Sequence, residues 1–116
     1  LVGSEMCIET DVALFEWVIE NLCKNAVDAM GGVGVLVISV QETSRYWCID
    51  VADTGKGIDK RYFETVFAPG YTTKKRGWGL GLSLARRIVV EYHSGSIFVK
   101  QSEINKGTIF RIELKK

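Results

Sequence analysis

Three short stretches of this sequence carry residue types that chemistry could use. Asn21, Asn25 and Asp28 follow one another at steps of four and three, which on a helix lines them up along one face. Asn is a mediocre helix former, so two of them on one face is unusual. The pattern reads either as a solvated helix face or as oxygen donors for a hard cation such as Mg²⁺, which prefers oxygen ligands and keeps several waters. The second stretch, Asp53-Thr54-Gly55-Lys56-Gly57-Ile58, sets an acid and two glycines where a strand should end. An ordinary turn uses the same residue types. Equally, the glycines would let a ligand ring lie against bare backbone while the carboxylate accepts a hydrogen bond from an exocyclic amine, such as adenine offers.

The third stretch is Gly77-Trp78-Gly79-Leu80-Gly81-Leu82, opening a helix just after Thr72-Thr73-Lys74-Lys75-Arg76. Free backbone N–H groups and the helix dipole favour an anion there, so the choice is between a phosphate site and a flexible hinge. It is not a dinucleotide fingerprint, because Leu82 stands where GxGxxG needs its third glycine, and a basic loop replaces the preceding strand. No GxxxxGK[ST] phosphate loop occurs either. Lys74, Lys75 and Arg76 form a small basic cluster, either a solvated loop or a neutraliser of a terminal phosphate.

These residues need elements to hold them. Phe15, Val18, Ile19, Leu22, Ala26 and Ala29 recur at helical spacing, predicting a long helix with Thr10 or Asp11 as its N-cap and Gly31-Gly32 as its stop. Residues 2 to 8 suit a short edge strand. Gly34 to Gln41 and Tyr46 to Asp53 are rich in β-branched and aromatic residues and predict an antiparallel hairpin. Asp59 to Phe67 reads as a short helix capped by Asp59, and Gly79 to Tyr92 as a second long helix whose end Gly95 marks. Ser96 to Gln101, the turn Asn105-Lys106-Gly107 and the alternating tail Thr108, Phe110, Ile112, Leu114 predict a second hairpin. Hairpins plus two helices with one apolar stripe each imply a two-layer α/β sandwich, an α+β arrangement with a mixed, mainly antiparallel sheet and helices on one face.

Composition sets outer bounds. At 116 residues, 47% apolar and 25% charged, the chain is the size and make-up of one folded domain. A formal net charge of +1 gives no bulk electrostatic case for binding nucleic acid or coating a membrane, so any phosphate chemistry is local. Cys7, Cys23 and Cys48 are odd in number, lack CxxC spacing and sit in apolar stretches, which reads as reduced core thiols of a cytosolic protein. No apolar run approaches the roughly 18 residues of a membrane span. A start at Leu1 rather than Met suggests a fragment of something longer.

Taken in order, the Asn-bearing helix, DTGKGI, the Phe63 to Phe67 segment, GWGLGL and Gly107-Thr108 with Phe110 resemble the N, first glycine, F, second glycine and third glycine boxes of the histidine kinase catalytic and ATP-binding domain. This domain belongs to the GHKL superfamily, shared with gyrase, MutL and a heat-shock chaperone, and has the Bergerat fold. The resemblance spans nearly the whole chain. It implies that Asn25 coordinates Mg²⁺ bridging the triphosphate of ATP, with Asn21 one turn earlier and Asp28 a weaker neighbour. It implies that Asp53 accepts the adenine amino group and that Gly55 and Gly57 admit the base, beside Ile58. Phe63 and Phe67 would anchor a mobile lid from Ala68 to Trp78, in which Thr73 and Lys74 reach the nucleotide and Lys74 is the lid cation. Gly77, Gly79, Leu80, Gly81 and Leu82 would meet the phosphates, and Thr108 would lie near adenine.

One departure separates the subfamilies. Hydrolytic members of the superfamily place a Glu four residues before the Mg²⁺-binding Asn as base for the attacking water, and here that position is Asn21. Glu20 points about 100° away around the helix. The resemblance therefore implies a kinase whose catalytic set is Asn21, Asn25 and Lys74, passing the γ-phosphoryl to a histidine on its own dimerisation domain and thence to a response regulator. His93, the single histidine, falls where the family commonly has a structural one, so the phosphoacceptor is expected upstream of Leu1. The expectation is a monomeric cytoplasmic domain of a homodimeric parent, itself anchored to a membrane or not.

Overall fold

The computed structural model describes residues 12–71 and 81–116. Helix α1 spans Val12–Ala29 and helix α2 spans Gly81–His93. Four strands, β1 (Leu36–Glu42), β2 (Tyr46–Asp53), β3 (Gly95–Glu103) and β4 (Gly107–Lys115), form one sheet in the order β1-β2-β4-β3. Every pairing among the described residues is antiparallel. The expected strand at residues 2 to 8 and the caps Thr10 and Asp11 lie outside the described residues.

The register decides which side chains meet the helices. Paired residues share a face of a pleated sheet, so Trp47, Ile49, Val51 and Asp53 of β2 line up with Leu114, Ile112, Phe110 and Thr108 of β4, and Ile97 and Val99 of β3 join the row. The core forms between this row and the stripes of the two helices, Val18 and Leu22 on α1, Ala85 and Val89 on α2. Truncating a fully buried residue such as Leu22 to Ala would cost about 2–5 kcal/mol. The alternation read in the tail matches the burial of β4 residue by residue.

Three local expectations change. Asp59 to Phe67 is two separate 3₁₀ turns, Lys60–Tyr62 and Thr65–Phe67, and not one helix. Asp59 does cap the first, accepting from the Arg61 N–H at 3.0 Å. Val66 and Phe67, both in the second turn, are buried. Gly95 is not the stop of α2. Ser94 takes the left-handed turn (φ +50°), and Gly95 begins β3, where a Cβ would come 2.3 Å from the Glu113 carbonyl oxygen. Finally, only one described cysteine is in the core: Cys48 is buried, whereas Cys23 is half-buried on α1, where its partial burial pushes the thiol pKa up.

Candidate functional site

The C-terminal end of α1 meets the loop after β2, Asp53 faces Thr108 at the start of β4, and the start of α2 packs on α1 at Asn21, about two turns before its end. Asp53 closes β2 on the helix-facing side and is 8% exposed. Its Oδ1 accepts from the Gly55 N–H at 2.9 Å, and the carboxylate also accepts from the Thr108 backbone N–H, Thr108 being its register partner on β4. Burial pushes the Asp53 pKa up, and those two N–H bonds pull the other way. No cation pairs with it among the described residues. A buried acid held only by neutral donors keeps acceptor capacity for something else.

The glycines of the loop answer first to packing. A Cβ on Gly55 would lie 2.6 Å from the Ala29 carbonyl oxygen, so only glycine lets the loop close on the C-terminal end of α1, where the Lys56 N–H donates to that same oxygen at 3.0 Å. Gly57 has φ +77° and faces the Glu103 carbonyl oxygen, 2.2 Å from where its Cβ would be. The loop is thereby tied to α1 on one side and to the β3–β4 turn on the other, and Asn105 N–H closes the tie on the Lys56 carbonyl at 2.8 Å. Ile58 packs partly buried against the core.

Asn21 and Asn25 are half-buried on α1. Asn21 sits against the first residue of α2: a Cβ on Gly81 would be 2.8 Å from its Nδ2, and that Nδ2 is buried without a hydrogen-bond acceptor among the described residues. The N-box helix and the second glycine box are therefore in contact. An unsatisfied amide donor beside a helix N-terminus fits a phosphate oxygen, and amide oxygens fit the hard, largely hydrated Mg²⁺ ion. Asp28 is exposed and lines a shallow groove with Glu20, Cys23, Lys24 and Val27 on the outer side of α1. Phe67 is buried edge-on to Phe110, 6.0 Å between ring centroids, and Leu82 is partly buried. Thr73, Lys74, Gly77, Gly79 and Leu80 lie outside the described residues, as does most of the expected lid.

His93 is 5% exposed, packed 5.4 Å from the Phe15 ring, with Nδ1 3.3 Å from the Ile88 carbonyl oxygen. A side chain so embedded packs the helix end and does not present itself to another site.

Two residues here carry no motif. Arg86 on α2 makes a bidentate pair with Glu64 (2.9 and 3.2 Å), donates to the Ile97 carbonyl at 3.1 Å and lies 3.9 Å from the Phe67 ring centroid, joining α2 to the segment that precedes residue 68. Ser102 on β3 accepts from the Ile58 N–H at 2.7 Å and touches Gly107 and Thr108. The sequence pattern singles out neither, because Ile58 and Glu64 lie far from them along the chain.

The profile of the histidine kinase-, DNA gyrase B- and HSP90-like ATPase family matches residues 10–116. The chain belongs to this family. Similar proteins include the sensor histidine kinase ZraS of Escherichia coli K12, 38% identical over 107 residues (92% of this chain, 23% of that protein). Sporulation kinase C of Bacillus subtilis is 37% identical over 94 residues, covering 81% of this chain and 22% of that one. The domain thus spans about a quarter of the length of the curated relatives it matches. The catalytic domain of the histidine kinase ThkA superposes with TM-score 0.80 at 33% identity, covering 91% of this chain and 68% of that chain. ThkA in complex with the response regulator protein TrrA also matches, with TM-score 0.71 at 31% identity, 85% of this chain and 27% of that one. The domain is therefore of the nucleotide-binding histidine kinase type, with the α/β sandwich expected of it. No described helix is long and apolar enough to cross a membrane.

Proposed function

We propose that this domain binds Mg²⁺-ATP and hands the γ-phosphoryl to a histidine on the dimerisation domain of its parent kinase, for onward transfer to a response regulator aspartate. The observation that carries the reading is Asp53: a buried carboxylate with no cation partner among the described residues, at the mouth of a loop whose glycines are locked between α1 and the β3–β4 turn. It accepts from the adenine amino group. Asn25 holds the metal through its amide oxygen and Asn21 meets phosphate through its unsatisfied donor. Mg²⁺, when bound, neutralises charge on the phosphates. The remaining work belongs to the chain: α2's N-terminal end and the glycines before it bind phosphate, while Lys74 and Thr73 contact it from the lid. Because an amide cannot take a proton from water at neutral pH, Asn21 leaves the bound nucleotide without the base a hydrolytic relative has, and roughly 10²–10⁴-fold of proton-transfer catalysis is forgone. Positioning and charge neutralisation are what remains, as befits phosphoryl transfer to an external nucleophile. The nearness of a response regulator in the ThkA complex supports the last step.

Incubation with γ-labelled ATP tests this. The chain alone is expected to bind ATP, release little phosphate and leave itself unlabelled. Addition of the parent's histidine-bearing domain is expected to give an acid-labile, alkali-stable phosphoryl group on that partner. Rapid phosphate release by the chain alone would instead make it a self-contained ATPase. Asn25→Ala should keep adenosine recognition while removing the Mg²⁺ dependence of ATP binding, read by calorimetry with ATP and adenosine, each with and without the metal.

A further inference from the structure

Ser102 sits behind the Asp53 floor, and its hydroxyl is engaged three times. It accepts from the Ile58 N–H at 2.7 Å, lies 3.1 Å from the Gly107 carbonyl oxygen and 2.8 Å from Thr108 Oγ1. A serine hydroxyl has one proton and two lone pairs. The Ile58 N–H can only donate, so it takes one lone pair. The Gly107 carbonyl can only accept, so it takes the proton. One lone pair remains, and Thr108 can use it only by donating its own proton. All three contacts are satisfied in this one arrangement and in no other.

We propose that Ser102 is a positioning residue that fixes the hydrogen-bond polarity of the base-recognising floor, turning Thr108 Oγ1 into an acceptor-only neighbour of the Asp53 carboxylate. Any group that reaches Thr108 Oγ1, directly or through water, then meets lone pairs. Asp53 likewise accepts, from Gly55 and Thr108 backbone N–H groups and from whatever the ligand brings. Such a floor takes the N–H donors of a purine 6-amino group and gains nothing from a purine with hydrogen at that position. Ser102 touches no ligand in this account. It selects the base by holding the proton of its neighbour, and this rests on the nucleotide reading above.

The test compares ATP with purine riboside triphosphate, which has hydrogen in place of the 6-amino group and keeps the rest of the base, by calorimetry on the wild type and on Ser102→Ala, Ser102→Thr and Thr108→Val, each checked for cooperative unfolding. The wild type is expected to prefer ATP. In Ser102→Ala the Thr108 hydroxyl is released to donate, so the preference for ATP over the base without the 6-amino group should shrink about tenfold, whatever happens to overall affinity. Ser102→Thr should restore it. Thr108→Val, which removes the acceptor while leaving Ser102 in place, should shrink it too and serves if Ser102→Ala fails to fold. Equal weakening of both nucleotides by Ser102→Ala would show a mere brace and overturn the inference, as would a wild type that binds both equally or an unaltered preference in Thr108→Val. Failure of the wild type to bind either nucleotide would overturn the nucleotide reading itself.

Discussion

Asp50 and Asp53 stand three residues apart on β2, and each is 8% exposed, yet they live under opposite electrostatics. The pleat sends them to opposite faces of the sheet. Asp50, on the face away from the helices, is met by Arg111 across the β2–β4 ladder in a bidentate pair of 2.7 and 2.9 Å, with Lys100 at 3.6 Å. The Arg111 hydrogen bonds hold its pKa below the usual value, and burial offsets them only in part. Asp53, on the helix-facing side, has no such partner, and burial pushes its pKa up. One acid is matched within the fold, and the other is left with spare acceptor capacity at the cost of desolvation. The contrast separates framework from site on chemistry alone: a carboxylate that the fold satisfies reports on stability, and one that it leaves unmatched reports on a ligand.

The largest effect expected from breaking this contrast is on the framework side. Arg111→Met removes the fork from a mostly buried carboxylate and leaves Lys100 as its remaining cation. Denaturant unfolding should show a loss of about 3 kcal/mol, with ATP affinity unchanged within experimental error. A loss confined to ATP affinity would mean that the Asp50 face, not the Asp53 face, serves the ligand.

The reciprocal experiment is Asp53→Ala. It removes the acceptor for the adenine amine and should weaken ATP by about 1.5–3 kcal/mol, the range of a charge-assisted hydrogen bond, without the stability loss of Arg111→Met. Titration calorimetry reads the first quantity and denaturant unfolding the second. Unchanged ATP affinity would take Asp53 out of the site.

The contrast also shows why some of this was legible in the sequence and some was not. The stripe Phe15 to Ala29 and the alternation from Thr108 to Leu114 announce α1 and β4, because periodicity is set locally by which face is buried. Asp53 stood out because it shares a loop with Gly55 and Gly57. Those glycines, however, are explained by α1 and the β3–β4 turn, packing that no local pattern shows. Ser102 meets Ile58 across 44 positions and Arg86 meets Glu64 across 22, so nothing local singled either of them out. Asp50 likewise has nothing beside it in the chain to mark it as paired, since Arg111 is 61 positions away. The 3₁₀ turns were missed because Asp59 caps a 3₁₀ turn as readily as an α-helix.

The smallest effect is also the one that sharpens the contrast most, because it depends on sign. Both acids start from an ordinary value near 3.8. The folded value of Asp50 is depressed, so its stabilisation is fully present above that ordinary value and is lost as pH falls through the folded one. The folded value of Asp53 is raised, so its contribution runs the other way: it favours the fold below the ordinary value, and that advantage is lost as pH rises through the folded one. Asp53→Asn abolishes the titration while keeping the shape. Denaturant unfolding of the ligand-free wild type and this variant, compared from about pH 3 to about pH 7, should therefore show the wild type losing ground to the variant as pH rises. In Arg111→Met the sign is opposite: the wild type should gain on the variant as pH rises, because the paired Asp50 of the wild type gains its stabilisation as it ionises. The Asp53 difference is expected to be the smaller of the two, since Gly55 and Thr108 N–H groups offset part of the desolvation. A wild type that gains on Asp53→Asn with rising pH would mean that Asp53 is satisfied in the free domain, and the electrostatic distinction between the two acids would be gone.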